Sequence, residues 1–371
     1  MYDTAPLARF GGLLATDLRD VTSDPAALES AGWWAVVADF EGGLMCARFG
    51  DVRPAPAPSA PGVRWRGPAR DAWTSSLDRA GYTEGVRRIR EHIARGEVYQ
   101  ANLCRVLSAP LPDPDPAHSD IDHLTALLAS GNPAPYAGTV RLPAHGVEVA
   151  TASPELYVRR DGPTVSSGPI KGTARTAEEL LEKDHAENVM IVDLVRNDLG
   201  RVCATGSVTV PALCAIEQHP GLVHLVSTVS GELPAGSGWP ALLEHTFPPG
   251  SVTGAPKSSA LRIIGDLETA PRGPYCGGVG WVDADRGTGE LAVGIRTFWI
   301  ERDVPGGPAL RFGTGAGITW GSDPEGEWAE TELKASRLLA VASGTYEADR
   351  AAAAAATHGT HTTQDGGRTP Q

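Results

Sequence analysis

The residues best suited to chemistry lie in one stretch of the chain, from position 153 to position 201. It contains S-P-E at 153–155, P-I-K-G-T at 169–173 and K-D-H-A-E-N-V-M-I-V-D-L-V-R-N-D at 183–198. A carboxyl group, an amine and a helical pattern that repeats acids on one face therefore occur close together. Such groups act as general acid, nucleophile and metal ligands. The stretch predicts an enzyme.

Each of these residues taken alone also has a plain structural interpretation. Lys171, between Ile170 and Gly172, could be an ordinary surface lysine. Asp184 and Glu187 are three residues apart, so they share a helix face and could reach a single cation. A solvated acidic face near a helix N-terminus, favoured by the helix macrodipole, explains them more simply.

Two capping boxes predict where the acid-bearing helices begin. The first, T-A-E-E at 176–179, predicts a helix that runs to about Asp198. The second, S-D-P-E at 322–325, has proline in the first helical turn and predicts another helix. Three side chains of this second helix lie at offsets of three and four and share one face: Glu327, Glu330 and Lys334.

The elements around Glu155 and Gln100 are predicted as strands. Strand patterns at 147–152 and 156–159 flank Glu155, and Pro154 between them predicts a bend that aims this carboxyl group. A helix at 83–95, with Thr83 as N-cap, precedes an alternating strand at 97–103. Gln100 and Asn102 share one face of that strand, where they either face solvent or line a polar pocket.

Three further segments are predicted as strands. Positions 275–282 and 289–300 are predicted to pair, the second strand carrying Arg296. His224 lies near one end of a strand at 224–231, and a lone histidine is more often a hydrogen-bonded core residue than a catalyst.

Two glycine-containing motifs do not indicate nucleotide binding. G-S-V-T-G-A-P-K at 250–257 lacks the Gly-Lys pair of a phosphate loop, and Pro256 removes an amide that such a loop needs. G-T-G-A-G at 313–317 is not the dinucleotide fingerprint, which needs a different glycine spacing between a strand and a helix. Its glycines could let backbone amides approach an anion closely.

Composition excludes several other functions. The 371-residue chain has a net charge of −13 and a pI of about 5.2, so binding to nucleic acid or an anionic membrane is not expected. The sequence contains no secretory-signal pattern and no run of 18 apolar residues. Its five cysteines are scattered, which predicts reduced thiols in a cytoplasmic protein rather than disulfides or a zinc site: Cys46, Cys104, Cys203, Cys214 and Cys276.

Four motifs in fixed order now resemble a known family. They are E-V-Y-Q-A-N-L at 97–103, the S-P-E, P-I-K-G-T and K-D-H-A-E-N group, S-V-T-G-A-P-K at 251–257, and G-T-G-A-G-I-T with E-W-A-E-T-E-L-K at 327–334. Together they resemble the chorismate-utilising enzymes, which include anthranilate synthase component I, aminodeoxychorismate synthase component I, and isochorismate and salicylate synthases. The resemblance covers roughly residues 80–340.

Two positions make the resemblance closest to aminodeoxychorismate synthase component I. Lys171 resembles that branch, whereas anthranilate synthases carry alanine there. Gln100 stands where the water-using isochorismate and salicylate synthases carry a base lysine. Two departures are that Ala174-Arg175-Thr176 replaces the usual x-P-R after P-I-K-G-T and that His185 replaces a usual arginine.

The resemblance implies an α+β fold, in which antiparallel β-sheets pack face to face with helices outside. It implies a strand-rich N-terminal part of the same fold at 1–75 and a chorismate-binding catalytic domain at 76–345. The composition of 346–371 predicts a disordered tail.

The resemblance also implies a mechanism. Glu155 matches the general acid that protonates the C4 hydroxyl of chorismate as it leaves. Lys171 matches the lysine that attacks C2, for which it must be neutral. Ammonia then attacks C4, expels the lysine and gives 4-amino-4-deoxychorismate. Mg²⁺ on the ring carboxylate is implied to be held by Glu187 and Glu330, with Asp184 and Glu327 around it.

The remaining implied site residues bind the substrate. Tyr275 and Arg296 match residues that grip the enolpyruvyl carboxylate, helped by amides near Gly315 and Gly317. Five others fall at family positions near the ring: Gln100, Thr173, His224, Thr253 and Lys334.

The resemblance implies a partner and leaves rival functions open. The chain shows no cysteine nucleophile elbow, so ammonia is expected from a separate glutaminase subunit in a hetero-complex. The rivals are anthranilate synthase component I, an isochorismate or salicylate synthase, and a non-catalytic protein that binds chorismate.

Overall fold

The computed structural model describes residues 5–55, 65–113, 115, 118–174, 176–219 and 222–346. These residues contain six α-helices, which are α1 (Arg79–Ala94), α2 (Ile121–Gly131), α3 (Glu182–Gly200), α4 (Trp239–Thr246), α5 (Lys257–Leu267) and α6 (Pro324–Ala342). They also contain eighteen strands: β1 (Leu7–Phe10), β2 (Leu13–Thr22), β3 (Trp33–Ala38), β4 (Leu44–Pro54), β5 (Thr74–Ser75), β6 (Gln100–Pro110), β7 (Tyr136–Leu142), β8 (Val147–Ser153), β9 (Leu156–Asp161), β10 (Thr164–Gly168), β11 (Ile170–Ala174), β12 (Thr209–His219), β13 (Leu222–Glu232), β14 (Gly254–Ala255), β15 (Gly278–Asp283), β16 (Thr288–Val293), β17 (Thr297–Glu301) and β18 (Ala309–Ile318).

The strands form one continuous antiparallel network. Starting from β6, which also carries the short β5 and β14, the order is β18, β17, β8, β7, β1, β2, β4, β3, β15, β16, β9, β10 and β13. β11 and β12 then both pair with β13. Antiparallel pairing throughout is the pattern expected of an α+β fold.

The network folds over so that its two halves face each other. Val106 of β6 and Val149 of β8 belong to the same hydrophobic core as Val36 of β3 and Val279 of β15. Strands far apart in the pairing order therefore bury their side chains against one another, as two stacked sheet layers do. The predicted fold, antiparallel sheets packed face to face with helices outside, is confirmed.

The helices cover the outer faces of the sheet. α2 packs on β7 and β8 and α6 packs on β18, and Leu124, Leu338, Phe298 and Phe312 belong to one apolar cluster. α1 and α5 pack on the start of β6 and the end of β18 in a separate apolar cluster. α3 lies on β13, where Asn188 donates a hydrogen bond to the Leu225 carbonyl at 3.1 Å. Helices that carry the predicted acids are thus held against the strands that carry the other site residues.

The N-terminal strands are part of this same sheet. All six residues of β3 are buried, and β3 pairs with β15 as well as with β4. β1 pairs with β7, and β5 pairs with β6. No break in the sheet therefore marks position 75, and the predicted tail from 347 onward lies outside the described residues.

The predicted starts of three helices are wrong. α1 begins at Arg79, because the Asp78 side chain accepts from the Gly81 amide at 2.7 Å, and Thr83 lies buried inside the helix. α6 is capped by Asp323 rather than by Ser322, although proline does occupy its first turn.

The third error concerns α3. A short 3₁₀ turn at Ala177–Glu179 follows Thr176, whose side chain makes no capping hydrogen bond. α3 begins only at Glu182, where the Asp184 carboxylate accepts from the Leu181 amide at 2.9 Å. The acid that satisfies the first free amide sets the start of the helix.

Two predicted strands also change their limits. β6 begins at Gln100 and continues to Pro110, well beyond 97–103. The strand predicted at 289–300 is two strands, because the chain breaks at Gly294–Arg296 and Arg296 has a φ of 52°. A non-glycine residue in this left-handed region interrupts a ladder and re-aims its side chain. Tyr275, predicted to begin a strand, lies before β15.

Candidate active site

Glu155 lies at the bend between β8 and β9 that Pro154 predicts. The Ser153 hydroxyl accepts from the Glu155 amide at 3.2 Å and donates to the Val293 carbonyl at 2.6 Å, so the bend is tied to β16. The Glu155 side chain is buried. Burial raises the pKa of this carboxyl group to about 7. A hydrogen bond with Ser251 and the charge of Lys171 both act to lower this pKa, but burial has the larger effect. A carboxyl group with this pKa can be protonated at neutral pH and act as a general acid.

Lys171 acts electrostatically on two carboxyl groups. It is partly buried on β11, and its charge acts to lower the pKa of Glu155 and also that of Glu330. β11 approaches α3 closely here, since a Cβ on Gly172 would lie 2.9 Å from the Asp184 Cβ. Gly172 also has a φ of 81°, which favours glycine. The side chain of Thr173 lies outside the described residues.

Glu187 of α3 and Glu330 of α6 are both affected by the charge of Lys183. The Lys183 ammonium lies 4.0 Å from the Glu187 carboxylate, and its charge also acts on Glu330. Lys334 pairs with Glu330 at 2.7 Å. Burial acts to raise the pKa of Glu330, but Lys334, Lys183 and Lys171 outweigh it, so this pKa lies below its ordinary value.

The two other predicted acids are engaged differently. One Asp184 oxygen is used in the cap of α3. Glu327 is buried, which raises its pKa together with the charge of Glu330, while a hydrogen bond with Ser322 acts against this. Across the described ranges, no group of three or more His, Cys, Asp or Glu side chains is arranged to hold a metal ion.

The donor set nevertheless suits Mg²⁺. This ion is usually held by one or two carboxylates together with water and an anionic substrate, so a three-acid cluster is not required. Glu187 and Glu330 supply two carboxylates from opposite helices. Their present partners, Lys183 and Lys334, are side chains that a divalent cation would displace. The magnesium site stays a prediction.

Two buried amides line the site from β6. Gln100 and Asn102 are 1% and 7% exposed, so the solvent-facing interpretation is wrong. The Gln100 amide nitrogen donates to the Asn102 side-chain oxygen at 3.4 Å, and the Gln100 side-chain oxygen has no partner among the residues described. A Cβ on Gly317 would lie 2.6 Å from the Gln100 amide, so only glycine lets β18 approach this pair. The backbone carbonyl of Thr253, which is fully buried, accepts from the Asn102 amide at 2.9 Å.

The amides of Gly315 and Gly317 face away from β6. In an antiparallel ladder, alternate residues turn their backbone groups toward the neighbouring strand. Gly315 opposes Cys104, whose amide donates to Glu268 rather than to β18. The Gly315 carbonyl accepts from Lys334 at 3.0 Å. These glycines therefore turn backbone groups toward α6 and the site, as the sequence predicts.

Arg296 is a partly buried cation without an anionic partner among the described residues. Its side chain has no hydrogen bond or ion pair with any residue of the described ranges, and burial, with a smaller contribution from Arg337, lowers its pKa. A guanidinium in this situation attracts a carboxylate strongly. Tyr275 is buried, and its ring lies 2.0 Å from where a Cβ on Gly313 would stand, so that glycine too is required.

His224 is buried on β13. It lies opposite Thr173 of β11 and Glu217 of β12. The register places it next to the strand that carries Lys171.

The sequence analysis missed three residues that hold the site together. Ser251 hydrogen-bonds Glu155 from a turn far away in the chain, which no local pattern could reveal. Arg105 donates to Thr331 and Glu332 of α6 and lies 4.1 Å over Trp328. Its position within the apolar sequence of β6 could have indicated a buried arginine with specific partners, because arginine is rarely buried without them.

The third is Arg272, which is 1% exposed and pairs with Glu268 at 2.6 Å. It donates to the carbonyls of Asn102 and Val252 at 3.1 and 3.0 Å. One guanidinium thus joins β6 to the turn that contains Ser251.

Most of the predicted site residues are brought together by these contacts. Lys171 links Glu155 to Glu330, Lys334 links Glu330 to Gly315, and Lys183 links Glu330 to Glu187. Gln100, Thr253 and Gly317 border the same part of β6 and β18. An acid, an amine and two carboxylates connected in this way are groups that could act on a small anionic substrate.

Comparison with known proteins agrees with this arrangement. The model of the chorismate binding enzyme family matches residues 51–340. The chain is 40% identical over 306 residues to an anthranilate synthase component 1 of Streptomyces coelicolor, covering 78% of this chain and 57% of that protein. It is 33% identical over 356 residues to an aminodeoxychorismate synthase component 1 of Salmonella typhimurium, covering 89% of this chain and 73% of that protein.

Solved structures show the same fold. The chain superimposes on an anthranilate synthase component I of Streptococcus pneumoniae with a TM-score of 0.71 at 22% identity, covering 91% of each chain. Within the described residues, no helix is long and apolar enough to cross a membrane. With four motifs, one fold and one family model in agreement, the chain belongs to the chorismate-binding enzymes.

Proposed function

We propose that this protein is an aminodeoxychorismate synthase component I, which converts chorismate and ammonia to 4-amino-4-deoxychorismate. The observation that carries the proposal is that the charge of Lys171 acts on Glu155, a buried carboxyl group whose pKa is raised to about 7. This is the pairing of a nucleophilic amine with a general acid that displacement of a hydroxyl group requires.

The proposed reaction has two balanced steps. Neutral Lys171 adds to C2 of chorismate, the double bonds shift, and the C4 hydroxyl leaves as water with the proton of Glu155. Ammonia then adds to C4, the double bonds shift back, and the C2–nitrogen bond to Lys171 breaks. The excess proton of the new amine returns to the Glu155 carboxylate.

The substrate carries two carboxylates, which need positive charge in an acidic protein. Arg296 has no anionic partner of its own and supports binding of the enolpyruvyl carboxylate, with the outward amides of Gly315 and Gly317 beside it. Mg²⁺ bound by Glu187 and Glu330 would neutralise the ring carboxylate. Gln100 offers an unpartnered amide oxygen but no base that could activate water.

The partner and nitrogen source are part of the same proposal. Relatives named component 1 match this chain, and a first component implies a second. We propose that a glutamine amidotransferase subunit supplies ammonia to this chain.

Anthranilate synthase component I is the second candidate. The chain is 40% identical to proteins of that name from Streptomyces coelicolor and Thermus thermophilus. Lys171 favours the first candidate, because its charge acts on the proposed general acid and because it supplies a nucleophile that direct amination at C2 does not need.

Product identification tests the proposal. The protein is incubated with chorismate, Mg²⁺ and ammonium, and the products are separated and identified by mass spectrometry. We expect 4-amino-4-deoxychorismate and no turnover when ammonium is omitted. Fluorescent anthranilate would instead assign the second candidate, and turnover without ammonium would indicate a water-using synthase.

A further inference from the structure

A small cavity lies next to Glu155, apart from the space that Lys171 shares with Glu330. Its volume is about 20 Å³, enough for one water-sized molecule and far too little for chorismate. Five polar side chains line it: Glu155, Ser167, Asp198, Thr246 and Ser251. Neither Lys171 nor Glu330 is in its lining.

Among the residues described, the lining contains a free hydrogen-bond acceptor, an oxygen of Asp198. Asp198 is 5% exposed, and one of its oxygens accepts from Lys257 at 2.7 Å, while the other has no partner in the described part of the chain. Lys257 also donates to the Thr246 carbonyl at 2.9 Å. The Thr246 hydroxyl donates to the Leu242 carbonyl at 2.7 Å, so it accepts from Tyr157 at 2.6 Å.

The remaining lining is apolar. Val195 and Leu199 of α3 and Val293 of β16 close the cavity, and all three are buried. An acceptor in such a water-poor space needs a donor, because leaving it unpaired is costly. Ammonia brings three N–H donors and ammonium four, whereas water brings two. A small molecule that brings N–H donors can satisfy this acceptor.

We propose that this cavity is the binding site of the nitrogen substrate, where ammonia or ammonium is held beside Glu155. The inference rests on the proposed amination of chorismate and adds to it the place from which nitrogen enters. Because the space admits one molecule, bound ammonia excludes water from the side of the general acid.

Filling the cavity tests the proposal. Val195→Ile adds one methylene group to a space for one molecule, and Val192→Ile adds the same group to an equally buried position of α3 outside the lining. Initial rates are measured with ammonium chloride as nitrogen source at saturating chorismate and Mg²⁺, and then with chorismate varied. For Val195→Ile we expect the KM for ammonium to rise about tenfold, with the KM for chorismate unchanged. Val192→Ile should change neither constant.

A second variant keeps the test decisive if Val195→Ile does not fold. Asp198→Leu combined with Lys257→Met replaces the buried ion pair by apolar side chains, an exchange that folded proteins often tolerate. It removes the free acceptor oxygen, so the KM for ammonium should again rise while that for chorismate stays constant. Equal rises in both constants, or no rise in the KM for ammonium, would overturn the proposal.

Product assays of the wild-type protein distinguish a failure of this inference from a failure of the proposed function. If that protein makes anthranilate from ammonium, the proposed branch is wrong, but the ratio of the two KM changes still tests the cavity. If the wild-type protein converts chorismate without ammonium, the proposed function and the proposed nitrogen site are both rejected. The wild-type assay alone gives this result.

Discussion

At the scale of single residues, the environment of Glu155 matters most, because it controls the protonation of the proposed general acid. Burial raises the pKa of this group to about 7, and the Ser251 hydroxyl lowers it by stabilising the carboxylate. The protonated form is the active one, so activity is present below this pKa and is lost as the pH rises through it.

Ser251→Ala is therefore expected to move the alkaline limb of activity upward. Loss of one hydrogen bond to a carboxylate corresponds to a pKa rise of roughly 0.5–1 unit for Glu155. The measurement is kcat/KM for chorismate against pH, at a fixed concentration of free ammonia. Ser258→Ala, an exposed serine in the first turn of α5, is the control and should keep the wild-type profile. An unshifted limb for Ser251→Ala would show that the hydroxyl does not act on the acid.

For Glu155 and Gln100, the sequence predicted the local backbone better than it predicted which distant residues cover the side chains. Pro154 between two strand patterns predicted the bend that carries Glu155, and the structure contains this bend. The burial of Gln100 could not be decided, because alternation shows that it shares a face with Asn102 but not what covers that face. It is Gly317, more than 200 positions later, that covers it.

At the scale of elements, α6 is held on the sheet by Arg105. This buried guanidinium contacts Thr331, Glu332 and Trp328 on one side of the helix. Glu327 and Glu330 lie within four residues of Thr331 on the same helix. We therefore expect the positions of the Glu327 and Glu330 carboxylates to depend on Arg105, which contacts neither of them.

Arg105→Lys is expected to weaken the presentation of these acids. A lysine cannot reproduce the planar fork or the contact with Trp328. We expect the Mg²⁺ concentration for half-maximal activity to rise several-fold, and the free energy of unfolding to fall by roughly 1–3 kcal/mol, measured by denaturant titration. Arg79→Lys alters an exposed ion pair with Glu325 on the same helix and should change stability by less than about 0.5 kcal/mol. A magnesium dependence like that of the wild type would contradict the role of Arg105.

The start of α3 shows why local patterns mislocate elements. T-A-E-E at 176–179 has the composition of a capping box, but the chain makes only a 3₁₀ turn there. Asp184 lies three residues after Leu181 and caps the helix instead. Gly172 fixes this outcome, because its lack of a Cβ lets β11 lie against Asp184. A contact between distant segments overrides the local preference.

At the scale of the whole molecule, the N-terminal strands complete the core. The family model matches from residue 51, yet β3, which lies before that point, is entirely buried between β4 and β15. Sequence patterns predicted strands there but could not show their partners, since pairing between distant strands leaves no local signal.

Removing residues 1–54 is therefore expected to prevent folding. The deletion exposes β15 and opens the core shared by both layers. Near-UV circular dichroism and thermal unfolding are the measurements, with the full chain as control, and we expect loss of the cooperative transition. A truncated chain with a cooperative transition would show that residues 55–371 fold without the N-terminal strands.

The central claim is that Lys171 and Glu155 act on one bound chorismate. The most direct measurement compares wild type and Lys171→Ala for chorismate binding and for formation of aminated product from ammonium. Binding should be retained, while the rate of amination at C4 should fall by about 100-fold or more, as loss of a covalent nucleophile implies. Amination by Lys171→Ala at the wild-type rate would contradict the account.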